Sequence, residues 1–120
     1  MTATIDQLND EQVANWEELS TPSITTLHVG NGKYVQHLSF VPFDKLLEFQ
    51  AKHGLGTPHN RDLLGYMIEI LKYVMVKPKI ASPEEARAAA KGNSTLLLGI
   101  IESVASKKDA EEIREQLGKS

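Results

Sequence analysis

Residues 24–40 read Ile24-Thr25-Thr26-Leu27-His28-Val29-Gly30-Asn31-Gly32-Lys33-Tyr34-Val35-Gln36-His37-Leu38-Ser39-Phe40. Two β-rich runs flank Asn31-Gly32, the strongest short hairpin signal, because a type I′ turn needs positive φ at both central residues. Taking Asn31-Gly32 as a two-residue loop sets Val29 opposite Tyr34, Leu27 opposite Gln36 and Thr25 opposite Leu38. That register makes one side mostly apolar and places Thr26, His28, Val35 and His37 on the other. A lone hairpin is marginal in water. It must pack on helices or lend its edges to another chain.

After Phe40 the apolar period changes from two to that of a helix. Pro42 suits the first turn of a helix over 42–53, with Phe43, Leu46, Leu47 and Gln50 on one side and Gly54 as its stop. Asn60 is a good N-cap for a helix over 60–76, where Leu64, Met67, Ile68, Leu71, Val74 and Met75 repeat at helical spacing. Leu63, Tyr66 and Ile70 widen that stripe past one face, so this helix is the most buried, and Lys77-Pro78 ends it. Ser82-Pro83-Glu84-Glu85 reads as a capping box opening a short Ala-rich helix over 83–91. Asn93 or Ser94 caps the next helix, over 94–106, whose Leu96–Ile101 run is apolar almost all round. A polar, charge-balanced helix over 109–117 and a frayed tail at 118–120 close the chain. The fold class expected is α+β, predominantly α, with an N-terminal β-hairpin followed by four to five helices in one domain over 23–117.

The chain is 120 residues long with a net charge of −3, and that charge is unevenly spread. Residues 1–20 contain Asp6, Asp10, Glu11, Glu17 and Glu18 and no Lys or Arg, which leaves 13 basic and 11 acidic groups for the rest. Residues 1–22 therefore read as an acidic, partly disordered segment. A short helix around 10–19 would put Val13, Trp16 and Leu19 on one face, ready to dock on the domain or a partner. A nearly neutral body argues against nucleic-acid binding, which needs a clustered basic face to gain from counterion release. No apolar stretch approaches the roughly 20 residues of a membrane span, and the polar start is no signal peptide.

Cysteine is absent, which removes disulfides, thiolate metal sites and Cys nucleophiles together. His28, His37, His53 and His59 are the remaining metal or general-base material. None has a carboxylate at motif spacing, and ordinary turn or surface histidines are the expectation. Gly30-Asn31-Gly32 and Gly54-Leu55-Gly56 are turn glycines by context, not phosphate loops. Nothing in the chain calls for a catalytic residue, a metal or a cofactor. The expected activity is binding.

The residues from the hairpin to Glu102 resemble the tail assembly chaperones of long-tailed bacteriophages. The resemblance is carried by Leu38-Ser39-Phe40-Val41-Pro42-Phe43-Asp44-Lys45-Leu46-Leu47-Glu48 after a β-rich segment, then a central helix closed by Val76-Lys77-Pro78-Lys79-Ile80. The Ser82–Glu85 cap, a short helix and the apolar Leu96–Ile101 helix follow in the same order. It implies a non-catalytic protein of the bacterial host cytoplasm that coats the tape measure protein before the tail tube forms and is not retained in the virion. The implied partners are the tape measure protein and further copies of the chain. Family members are often made in two lengths by a −1 frameshift, and the codons for Ser106–Lys108 or Leu117–Lys119 permit a slippery string.

Most apolar residues of such a chain belong to its own core. The surplus nominated for partner contact is Trp16, Tyr66, Ile70, Tyr73 and Leu97. A small adaptor working through its acidic N-terminal segment is the alternative of another class, and a DNA-binding regulator is disfavoured by charge. Leu71 lies at the centre of the buried stripe. Leu71→Asp is expected to unfold the chain by burying an unpaired charge, and a retained far-ultraviolet dichroism signal and cooperative melt would contradict that placement.

Overall fold

A computed structural model describes residues 9–57 and 61–119, with side chains described up to 116. The fold is α+β and mainly helical, with six helices and one three-stranded antiparallel sheet among the described residues. In chain order these are α1 (Trp16–Leu19), β1 (Ile24–Gly30), β2 (Lys33–Leu38), α2 (Phe43–Lys52) and α3 (Leu63–Val74). β3 (Met75–Lys77), α4 (Pro83–Gly92), α5 (Ser94–Val104) and α6 (Lys107–Lys119) follow. None of these helices is long and apolar enough to cross a membrane.

The hairpin forms at Asn31-Gly32, with φ of 54° and 69° at the two turn residues, and Gly30 faces Lys33. The expected register then fails by one residue. Val29 bulges out of β1, where Gly30 sits at φ 100°, so His28 faces Tyr34, Leu27 faces Val35 and Thr25 faces His37. A bulge adds one residue to a single strand and reverses which side chains share a face. Val35 and His37 thus join the core instead of the outer side, and Tyr34 goes to solvent. His37 is only 2% exposed; its ring lies with Nδ1 2.6 Å from the Leu38 carbonyl oxygen.

The expected helix over 60–76 is shorter at both ends. Asn60 lies outside the described residues, and the cap is Asp62, whose Oδ1 accepts the Gly65 N–H at 2.9 Å. At the other end Met75, Val76 and Lys77 leave the helix and pair antiparallel with β2, making a strand that the helical periodicity concealed. A residue before proline is pushed to extended backbone, and β-branched Val76 suits a pleated surface. The sheet order β1-β2-β3 therefore covers one edge of the hairpin and leaves β1 as an open edge.

Helix α3 is the hub. It packs against α2, α4, α5 and α6, and Tyr66, Ile70, Leu71 and Val74 are without exposed surface. Ser82 caps α4 by accepting the Glu85 N–H, while the Glu85 carboxylate reaches back to the Ala81 N–H at 3.0 Å, a capping box displaced by one residue. Helix α5 ends at Val104, two residues early, because Ser106 already caps α6 through the Asp109 N–H. Helix α6 accordingly begins at Lys107 and runs through Gly118 and Lys119, which were expected to fray. It is no mere polar tail, since Ala110 and Ile113 are buried in the common core.

One polar pair joins α3 to α6. The Tyr66 hydroxyl, on a fully buried residue, donates to Asp109 Oδ2 at 2.8 Å and receives Gln50 Nε2 at 3.3 Å. Burial pushes its phenol well above the ordinary value, and the Asp109 carboxylate adds to the shift. The folded state therefore keeps Tyr66 protonated at a pH where the unfolded chain would ionise it. Stability from this source is complete below about pH 10, the unfolded value, and falls as pH rises beyond it. Urea denaturation at about pH 8 and about pH 11 should show a larger alkaline loss for the natural chain than for Tyr66→Phe. Equal losses would remove Tyr66 as the source.

Candidate functional site

The turn end of the sheet and the junction of α4 with α5 enclose an open groove of about 570 Å3. Val29, Val35 and Met75 form its sheet wall, and Ala89, Leu96 and Leu97 belong to the facing helices. Pro78 and Ile80, from the chain leaving β3, complete an apolar lining in which Asn93, Thr95 and His28 are the polar members. The volume is within the range of about 300–1,000 Å3 typical of binding pockets. The groove exists because β3 draws residues 75–80 back against the hairpin, and Asn93 breaks the helical path between α4 and α5.

The segments that wall this groove carry charge of one sign. The segments that supply its walls, 28–35, 75–80 and 89–97, contain Lys33, Lys77, Lys79 and Lys91 and neither Asp nor Glu. All four lysines are exposed, and none takes part in an ion pair among the described residues.

Besides Ile24 and Tyr34 on the sheet, two other surfaces leave large apolar groups in solvent. The N-terminal segment is not the continuous helix expected over 10–19. A 3-10 turn at Asp10–Gln12, capped by Asn9, is followed by α1, capped by Asn15. Each Asn side chain accepts a backbone N–H and starts its own short turn. Val13 and Leu19 are exposed, and Trp16 is 83% exposed. On α2 it is Phe43 and Leu47, 73% and 48% exposed, that face outward, while Leu46 and Phe49 pack inward. These two had been expected on the same side as Leu46.

The residues nominated for partner contact divide accordingly. Trp16 is free. Tyr66 and Ile70 are wholly buried and Leu97 is 5% exposed, so they are core residues, although Leu97 also touches the groove. Tyr73 is half-buried, with its ring edge-to-face against Phe49 at 5.9 Å between centroids. The apparent surplus of apolar residues on α3 is consumed by its four helical neighbours. Phe43 and Leu47 were missed as surface because i, i+4 spacing is the same for an inward and an outward stripe.

The histidines are also redistributed. His28 stacks at a tilt on Tyr34, ring centroids 5.1 Å apart, on the open side of the sheet. His59 lies outside the described residues. His53 stands between two carboxylates that sequence spacing did not bring to it. Its Nδ1 is 3.3 Å from Asp62 Oδ2, and its buried Nε2, without a hydrogen-bond partner among the described residues, is 3.5 Å from Glu69 Oε1. The same Glu69 oxygen receives Lys52 Nζ at 2.7 Å, and this hydrogen bond holds the Glu69 carboxyl below the usual carboxylate range. The cluster fastens the end of α2 to the start of α3, aided by the Asp62 N–H donating to the His53 carbonyl at 2.8 Å. No group of three or more His, Asp or Glu among the described residues is placed to hold a metal ion.

Comparison with protein-family models, with curated proteins and with solved structures finds no match to the chain.

Gly65 is the residue that lets this fastening close. A Cβ there would lie 2.5 and 2.7 Å from ring atoms of His53 and nearer still to the Asp62 carboxylate. Replacing a helical glycine by alanine ordinarily stabilises by about 0.5–1 kcal/mol. Gly99→Ala, with open space around it on α5, should gain about that much. Gly65→Ala should instead lose about 1–3 kcal/mol, the usual cost of overpacking. Urea denaturation of both variants checks the opposed signs, and a gain at Gly65 would break the account of the cluster.

Proposed function

We propose that the chain is a non-catalytic, protein-binding subunit of the tail assembly chaperone kind, which keeps the tape measure protein soluble during phage tail assembly in the host cytoplasm. The observation that supports it is apolar surface left in the open on a regular element. Phe43 and Leu47 stand one turn apart on α2 and share an outward face. Single exposed apolar residues are ordinary, but two large ones stacked on one helix make a contact stripe. An amphipathic client helix laid across α2 would cover them through its own i, i+4 residues.

A stripe of two side chains binds weakly. Weak contacts suit a client that repeats its apolar stripe along a great length and must later be released into the tail. Coverage then comes from many copies acting on one chain, each raising the effective concentration for the next. The order of sequence phrases from Leu38 to Ile101 favours this client over an unspecified partner.

The test is co-expression with a tape measure protein, a long, helically periodic chain whose gene the proposal expects beside this one. The natural chain should raise the client's soluble fraction and co-elute with it. The double variant Phe43→Ser with Leu47→Ser should keep its fold, because both positions face solvent, and lose most of that effect. If the natural chain alters neither solubility nor elution, the chaperone reading fails.

A further inference from the structure

The N-terminal segment and the groove are complementary in shape class and in charge, yet in the structure they do not meet. Residues 9–21 contain Asp10, Glu11, Glu17 and Glu18 and no base. The groove segments contain four lysines and no acid. None of these acids is in an ion pair among the described residues either. The segment exposes Trp16, a large rigid anchor of the kind that dominates protein interfaces when it fills a pocket. The groove offers apolar walls from Val29, Met75, Ile80 and Leu96. We infer that this groove is filled by the N-terminal segment of a second copy of the chain, Trp16 inserting between sheet and helices while Glu17 and Glu18 face Lys77, Lys79 and Lys91.

With α1 intact, reach favours a second copy over the same one. Ser23 is pinned at the far end of the sheet, where its carbonyl accepts the Ser39 N–H at 2.8 Å and its N–H donates to the Ser39 hydroxyl at 3.0 Å. The groove's β1 wall, His28 and Val29, is five to six strand residues further on, about 17–20 Å away. From Ser23 back to Trp16 the chain offers three extended residues, about 10 Å, and one helical turn, about 6 Å. With α1 kept as the turn that Asn15 caps, the segment pulled straight along the strand brings Trp16 only level with the near rim, and a same-chain insertion would have to unwind α1. A second copy has no such tether, and two copies can exchange segments reciprocally to close a dimer.

This association is independent of client binding and is measured on the purified full chain alone. Trp16 is the only tryptophan, so its fluorescence reports directly on the segment. With rising concentration, light scattering should show the mass doubling from 13.3 kDa, with Trp16 emission moving to shorter wavelength in step. Trp16→Ala should weaken association by about thirtyfold, the size of an interface hot spot. Lys79→Glu should weaken it by about tenfold or more, and adding Glu17→Lys with Glu18→Lys should restore it. Thr95→Glu, an exposed groove position, should act like Lys79→Glu, and unchanged melting curves show that these variants fold. A chain monomeric at every concentration would overturn the proposal. So would a doubled mass with Trp16 still in water, or a shifted Trp16 emission at monomer mass.

Discussion

Pro78 is the constraint on which the rest of the molecule depends. It offers no N–H to a helical ladder and forces the residue before it toward extended backbone. The apolar helical pattern of α3 runs on through Val76, beyond the helix's own end at Val74. There Met75–Lys77 turn into β3 and pair with β2. The most buried helix and the sheet are thereby joined without a loop. Helices α2, α4, α5 and α6 then gather on α3 from several sides, and the Tyr66–Asp109 hydrogen bond ties the last helix to the hub.

The same transition shapes the surface. By occupying one edge of β2, β3 makes β1 and the three-residue β3 the two edge strands of the sheet. By drawing Pro78 and Ile80 beside the hairpin, it builds one end of the apolar groove. Apolar area then remains exposed in the groove, on the Phe43–Leu47 stripe, on the Trp16 segment and at Ile24 and Tyr34 of the sheet. Their separation suits a protein that meets more than one surface at once. Charge divides them further, because the segments that wall the groove hold lysines and no acid, while residues 9–21 hold acids and no base.

Much of the fold was legible because its signals are local. Asn31-Gly32 demanded a hairpin turn, Ser82-Pro83-Glu84-Glu85 opened a helix, and each lies where its short-range chemistry requires. The bulge at Val29 was not legible, since one extra residue in a strand leaves no mark on composition but flips every side chain beyond it. Nor was β3, whose three residues continue a helical pattern until a partner strand claims them. Of the candidate site, Trp16 was visible as a lone aromatic in an acidic stretch. Tyr66, Ile70 and Leu97 were misread as surface because periodicity counts apolar faces but not the neighbours that cover them. His53 acquired Asp62 and Glu69 from a helix that sequence spacing does not bring near.

By itself the sequence determined the fold class, the uneven charge and the cysteine-free composition, for these follow from residue types and from interactions within a few positions of the chain. Tertiary structure alone decided which apolar residues are core and which are contact surface. Burial is a property of packing between elements distant in sequence. Four helices around α3 hide what its own pattern suggested would show, and nothing covers Phe43, Leu47 or Trp16.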